Sequence, residues 1–208
     1  MSRNVNQDTK VVSESPLVQL DFLRLKIPSD ELRLVEDPFL THINLRGNAS
    51  SVTFVLAVQS VLDIILPTLP NTALMTATLT VLWCGPDEWL IMAATDRAEA
   101  LVSDLKAALK DEHSQVTDIS GGNTVIDISG SSARALMRKA STIDFHPREF
   151  AVGKCALTTF AHANAAIYQY DDTPGYRIVV RRSFADYIGV WLMDAAREYQ
   201  AAPSDKLT

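Results

Sequence analysis

Apolar residues in this chain recur at two different periods, and the switches between them mark out its elements. Over 40–45 they alternate or run together as in a strand, which Gly47 ends; over 51–65 they recur at helical spacing, in a helix that stops before Pro67. Segments 77–84 and 88–93 are rich in β-forming residues, and Gly85-Pro86-Asp87 between them supplies turn chemistry, so the pair predicts a hairpin. A second helix is predicted over 96–110, with Leu101, Val102, Leu105 and Leu109 on one face, followed by a strand at 115–119. Strand, helix, two strands, helix, strand is the split βαβ order, which stacks helices on one face of an antiparallel sheet.

A similar series follows. A strand is predicted at 124–128, a helix at 131–140 with Ala133, Leu136, Met137 and Ala140 aligned, and strands near 155–161, 165–170 and 176–180. The last helix, 183–199, carries Phe184, Tyr187, Ile188, Trp191, Leu192 and Ala195 as one stripe. The fold class expected is therefore α+β, built from two related split-βαβ-like modules with antiparallel or mixed sheets. The domain reading places an N-terminal arm at 1–38, the modules at 39–120 and 121–200, and a frayed tail at 201–208. The arm lacks sustained periodicity, yet Leu17, Val18, Leu20, Phe22, Leu23 and Leu25 suggest that part of it docks on something.

Composition narrows the function. A chain of 208 residues with 47% hydrophobic and 21% charged residues is long enough to bury a core without metal or disulfides. A net charge of −6 argues against nucleic acid and against an anionic membrane surface. The longest apolar run, 52–66, is interrupted by Thr53, Gln59, Ser60 and Asp63 and reads as a buried helix, so no membrane association is expected. Cys84 and Cys155 lack metal-ligand spacing and read as reduced thiols of a cytoplasmic protein.

The candidate chemical groups read mostly as builders of shape. Ser129-Gly130-Ser131-Ser132 joins a strand to a helix, where Ser131 or Ser132 is expected to cap the helix; no lysine follows to make a phosphate loop. Gly121-Gly122-Asn123 reads as a turn between strands. His42, His113, His146 and His162 stand singly, so no metal site is expected, and His146 between Asp144 and Pro147 reads as a loop-locking hydrogen bonder. Lys154 beside Cys155 would lower its pKa, but a strand position suits a packed thiol better. Ser183 is expected to cap the final helix, with Asp186 completing the reciprocal arrangement. Adjacent Arg181 and Arg182 alternate faces, leaving at least one free for a partner's carboxylate or for solvent; Asp87 is a further candidate interface residue. No convergent set of acids, bases or nucleophiles appears, so no catalytic residue is assigned.

These segments, taken together and in order, resemble a known family. Leu66-Pro67, Pro70-Asn71-Thr72, Trp83, the run from Gly85 to Leu90, Val116 to Ser120, Asp144-Phe145-His146-Pro147, Gly153 to Ala156 and Arg181 to Tyr187 are similar to the gamma subunit of heterotetrameric sarcosine oxidase. The resemblance runs from about Gly47 to about Ala196. It implies a truncated relative of the folate-binding aminomethyltransferase fold and a non-catalytic chain that stabilises the alpha subunit, with beta and delta subunits completing the complex. It also implies that FAD, FMN, NAD and tetrahydrofolate belong to the partners and that this chain binds no cofactor. The complex would oxidise sarcosine to glycine, form hydrogen peroxide and pass the methyl carbon to tetrahydrofolate. The alternative is a free-standing folate-binding or aminomethyl-transfer protein, with Asp118 and Asp144 as folate contacts. Ser131, Asp127 and Ala140-Ser141 depart from the family's pattern, Asp127 standing where a basic residue is common.

Overall fold

The computed structural model describes residues 13–200. Its strands are β1 (Arg33–Asp37), β2 (Thr41–Arg46), β3 (Ala73–Met75), β4 (Leu79–Gly85), β5 (Glu88–Ala93), β6 (Gln115–Asp118), β7 (Asn123–Ser129), β8 (Cys155–Phe160), β9 (Ala163–Asp171) and β10 (Gly175–Arg181). Its helices are α1 (Val52–Leu62), α2 (Ala98–Ala108), α3 (Ala133–Ala140) and α4 (Ala185–Ala195). The strands form two five-stranded sheets, ordered β3-β4-β5-β2-β6 and β8-β9-β10-β7-β1, with every pairing antiparallel. Each place in the first sheet has a counterpart in the second, so the α+β class and the two related modules hold. The counterpart of β6 is β1, which comes from the N-terminal segment rather than from the end of the second module.

Alternation of side chains explains how the sheets stack. On β5, Trp89 and Ile91 point to a core shared with Phe54 and Val58 of α1 and Leu101 and Leu105 of α2. Leu90 and Met92 point the other way, where they meet Val125, Tyr168 and Val179 of the second sheet. That sheet's opposite face, with Ile126, Ile128, Ile178 and Val180, packs on Leu136 and Met137 of α3 and Ile188 and Leu192 of α4. The order of layers is helices, sheet, sheet, helices. A strand covered on both faces reads as an unbroken apolar run, which is what β5 shows.

Helix ends depart from the expected capping. α1 stops at Asp63, whose φ of 54° is left-handed, short of the predicted 65. Ser132 occupies the N-cap position of α3, but its side chain makes no capping bond. α4 begins after a 3₁₀ turn at Arg182–Phe184, and its N-cap is Phe184, so Ser183 does not cap it. The buried seam of α4 is Ala185, Ile188, Gly189 and Leu192, while Phe184 and Tyr187 are exposed. The arm causes this shift: Leu17 and Leu20 lie so close to Gly189 that an added Cβ would collide with them. The arm thus docks on its own chain, burying Leu17 and Leu25 in the second module's core. The expected tail at 201–208 lies outside the described residues.

Gly130 fastens β1 into place. Its φ of 110° suits only glycine, and a Cβ there would stand 2.6 Å from the Glu31 carbonyl oxygen. Ser131 and Ser132 donate backbone hydrogen bonds to Asp30 and Glu31 at 2.9 and 2.8 Å. Gly130→Ala is expected to cost about 2–4 kcal/mol, because backbone strain adds to a clash with backbone that cannot swing aside. An unchanged urea midpoint would contradict this account.

Candidate functional site

At one end the two sheets diverge and leave a cleft of about 930 Å³ between their inner faces. Asn44, Glu88, Gln115, Thr117 and Asp118 line it from the first module, and Asn123, Thr158, Thr159, Asn164 and Arg181 from the second. Its apolar walls include Leu90, Leu157, Ala166 and Val179, and no aromatic side chain lines it. Polar residues face the cleft because the strand ends extend past the apolar cluster that closes the rest of the inter-sheet space.

Most of the charged groups around the cleft are already committed. Asn44 Nδ2 donates to Glu88 Oε1 at 2.7 Å. Asp118 Oδ1 accepts from the Ser120 amide and hydroxyl at 2.9 and 2.5 Å, and Ser120 Oγ accepts from the His42 amide at 3.0 Å. Arg181 is exposed, lines the cleft and forms no ion pair with another described residue. Arg182 donates to the Glu14 carbonyl at 2.9 Å, which fastens the arm. Asp87 sits on the hairpin turn and pairs with Arg46 at 3.1 Å. Asp144 is not part of the cleft; its Oδ1 accepts from the His146 amide at 2.8 Å, while His146 Nδ1 accepts from the Arg148 amide, as expected of a loop lock. The five singled-out residues therefore separate: Asp118 and Arg181 share the cleft, and Asp87, Asp144 and Arg182 do not line it.

Neither thiol is poised to react. Burial pushes Cys84 up to about 12, with the charges of Cys155 and Glu88 adding to it, and pushes Cys155 up to about 11. The lowering expected from Lys154 is present but smaller than the desolvation. Among the described residues, no group of three or more acids, histidines or cysteines is arranged to hold a metal ion.

His42 is fully buried, with Nδ1 held 2.9 Å from the Leu40 carbonyl and Nε2 unpartnered. Burial lowers its pKa from 6.5, against opposing contributions from that carbonyl, Asp118 and Asp37. The unfolded chain therefore takes up the proton first, and the stability present above pH 6.5 is lost as pH falls towards the folded-state value. The melting temperature should drop as pH falls through the ordinary histidine range, with a shallower drop in His42→Leu. Equal slopes in the two proteins would remove His42 as the cause.

Sequence reasoning missed Asn123, Thr158, Thr159 and Asn164 as cleft residues. They lie near strand ends, and nothing in their spacing separates an inward polar residue from a solvent-facing one.

Two antiparallel sheets back to back, with helices outside and a polar cleft between, define an α+β fold of two similar modules. Aminomethyltransferase T of the glycine cleavage system from Bartonella henselae shares it, with a TM-score of 0.60 at 15% identity over 81% of this chain and 47% of that one. The chain belongs to the sarcosine oxidase gamma subunit family, whose family model matches residues 46–198. Sarcosine oxidase subunit gamma of Corynebacterium sp. (strain U-96) is 37% identical over 122 residues, and that of strain P-1 is 39% identical over 123. The match spans 58% of the U-96 relative's length and 59% of this chain. A chain of the heterotetrameric sarcosine oxidase from Corynebacterium sp. U-96, solved with pyrrole 2-carboxylate, superposes with a TM-score of 0.83 at 30% identity, covering 91% of this chain and 97% of that one.

Proposed function

We propose that this chain is the non-catalytic gamma subunit of a heterotetrameric sarcosine oxidase and that it stabilises the alpha subunit. The observation that carries this reading is the likeness to a chain of such a heterotetramer over nearly its whole length. The surface supports it. α1 has no charged residue over Val52–Leu62 and exposes Val52 and Leu56, beside exposed Ile65 and Leu69, a composition suited to cover by another chain. In this reading sarcosine demethylation to glycine, peroxide formation and transfer of the methyl carbon to tetrahydrofolate take place in the alpha, beta and delta subunits. Those subunits hold FAD, FMN, NAD and the folate. No helix among the described residues is long and apolar enough to cross a membrane, and a cytoplasmic complex is part of the proposal.

Co-expression of the tagged chain with the alpha, beta and delta subunits should yield a yellow flavin-containing complex, while the chain alone is colourless and forms no peroxide from sarcosine. Turnover of sarcosine by the purified chain alone would end this reading.

The cleft supports a second reading, a free-standing folate binder with Asp118 as a contact. Calorimetric titration with a reduced folate decides between them: the first reading expects no heat of binding, the second a one-to-one isotherm.

A further inference from the structure

The inter-sheet cleft has the chemistry of a groove for a polypeptide segment, and we infer that an extended segment of the alpha subunit, carrying a carboxylate next to apolar side chains, docks in it on Arg181. The inference rests on the assembly role proposed above and gives that role a location. The argument begins with charge. Glu88 and Asp118 already accept hydrogen bonds inside the chain, so Arg181 is the charged group of the cleft with no partner among the described residues. An occupant that meets Arg181 brings a carboxylate matched to the planar fork of the guanidinium, placed at the second-module side of the cleft away from Asp118 and Glu88, which keep their negative charge.

The rest of the lining suits peptide groups. The side chains of Asn123, Thr159 and Asn164 make no hydrogen bond to other described residues, and each can serve a backbone N–H or C=O. A flat heteroaromatic ligand fits less well, because it lacks an aromatic face to stack on and Asp118 is occupied by Ser120. Leu157 lines the cleft while remaining 54% exposed, an apolar contact awaiting cover.

Two glycines make room for the segment. Neither Gly121 nor Gly122 has a positive φ, and a Cβ added at either would meet nothing within 4 Å. The fold does not demand glycine at these positions. Their bare backbone leaves the wall open to close approach by another chain.

The test uses the complex reconstituted from this chain and the alpha subunit. A photo-crosslinking amino acid replaces Leu157 with Arg181 intact, and separately Arg181→Glu is compared with Arg182→Glu by titration of binding to alpha. The inference expects the crosslink to fall on an acidic and apolar stretch of alpha, Arg181→Glu to weaken association at least tenfold, and Arg182→Glu to change it less than threefold. Should the wild-type complex form while Leu157 gives no crosslink to alpha, the groove assignment is wrong and the assembly role stands. A crosslink abolished by a reduced folate, with the complex intact, would assign the cleft to the small molecule. Failure of the wild-type chain to bind alpha at all would overturn both proposals. The crosslink does not depend on whether Arg181→Glu folds.

Discussion

Replacing Trp89 with alanine is expected to destabilise the chain by about 3–5 kcal/mol, the range for deleting a large buried aromatic side chain. Trp89 is fully buried on β5 between Leu45 and Trp83 of the neighbouring strands. Its ring lies 5.8 Å from that of Phe54 on α1, and its Nε1 donates to the Pro67 carbonyl at 2.8 Å. The surroundings have little freedom to collapse into the space. Phe54 already lies under Gly47, so tightly that a Cβ there would overlap its ring, and Gly47 is held by its hydrogen bond to Asp87 at 3.0 Å. Trp89→Phe keeps the aromatic contact but leaves the Pro67 oxygen unbonded, and about 1–3 kcal/mol should be lost. Urea unfolding of both variants checks the order. Losses below about 1 kcal/mol for alanine would show that the pocket closes. Because Phe54 joins α1 to the sheet through this contact, Trp89→Ala should also disturb the apolar outer face that the proposed assembly uses.

The segments most legible in the sequence were those where period and size agree. α2 shows this: Leu101, Leu105 and Leu109 recur at helical spacing and are buried, although the helix is shorter at both ends than 96–110. α4 shows the limit. Reading large side chains as the buried stripe placed Phe184 and Tyr187 inward, but small Ala185 and Gly189 take the seam, and at Gly189 the missing side chain is what lets Leu17 and Leu20 approach. β3 has three residues and no signal of its own; it pairs with β4, and an isolated bridge from Thr72 to Lys154 ties its edge to the second sheet. β1 was hidden for another reason. Its partner β7 lies about ninety residues away, and its side chains Arg33, Glu36 and Asp37 look like those of an exposed arm. The cleft was half legible: Asp118 and Arg181 were singled out, but for different roles, and only the stacking of the two sheets puts them together.

Asp127 tests whether the second sheet depends on the charges along its inner face. Its carboxylate is only 9% exposed and lies 3.3 Å from Arg177 Nε and 3.5 Å from Arg33 Nη1, with the Ser129 hydroxyl donating at 3.2 Å. Arg177 also reaches Asp37 at 3.8 Å and stands over the Tyr170 ring. Asp127→Ala leaves two guanidinium groups without their shared partner. Stranding one member of a fully buried pair costs about 3–5 kcal/mol; since Arg177 keeps a third of its exposure and Arg33 half, about 2–3 kcal/mol is expected here. Asp127→Lys should cost more than alanine by adding a third like charge. Asp127→Leu combined with Arg177→Met should recover much of the loss, because the pair's attraction is offset by its desolvation. Denaturant unfolding of the wild type, Asp127→Leu alone, Arg177→Met alone and the double variant gives the coupling energy directly. Hydrogen exchange supplies the location: β1 is held to β7 both by its ladder and by Arg33, so protection over Arg33–Asp37 should fall in Asp127→Ala before that of β9 and β10. Uniform loss across the sheet would mean that the charge cluster supports the whole module rather than the strand lent to it by the N-terminal segment.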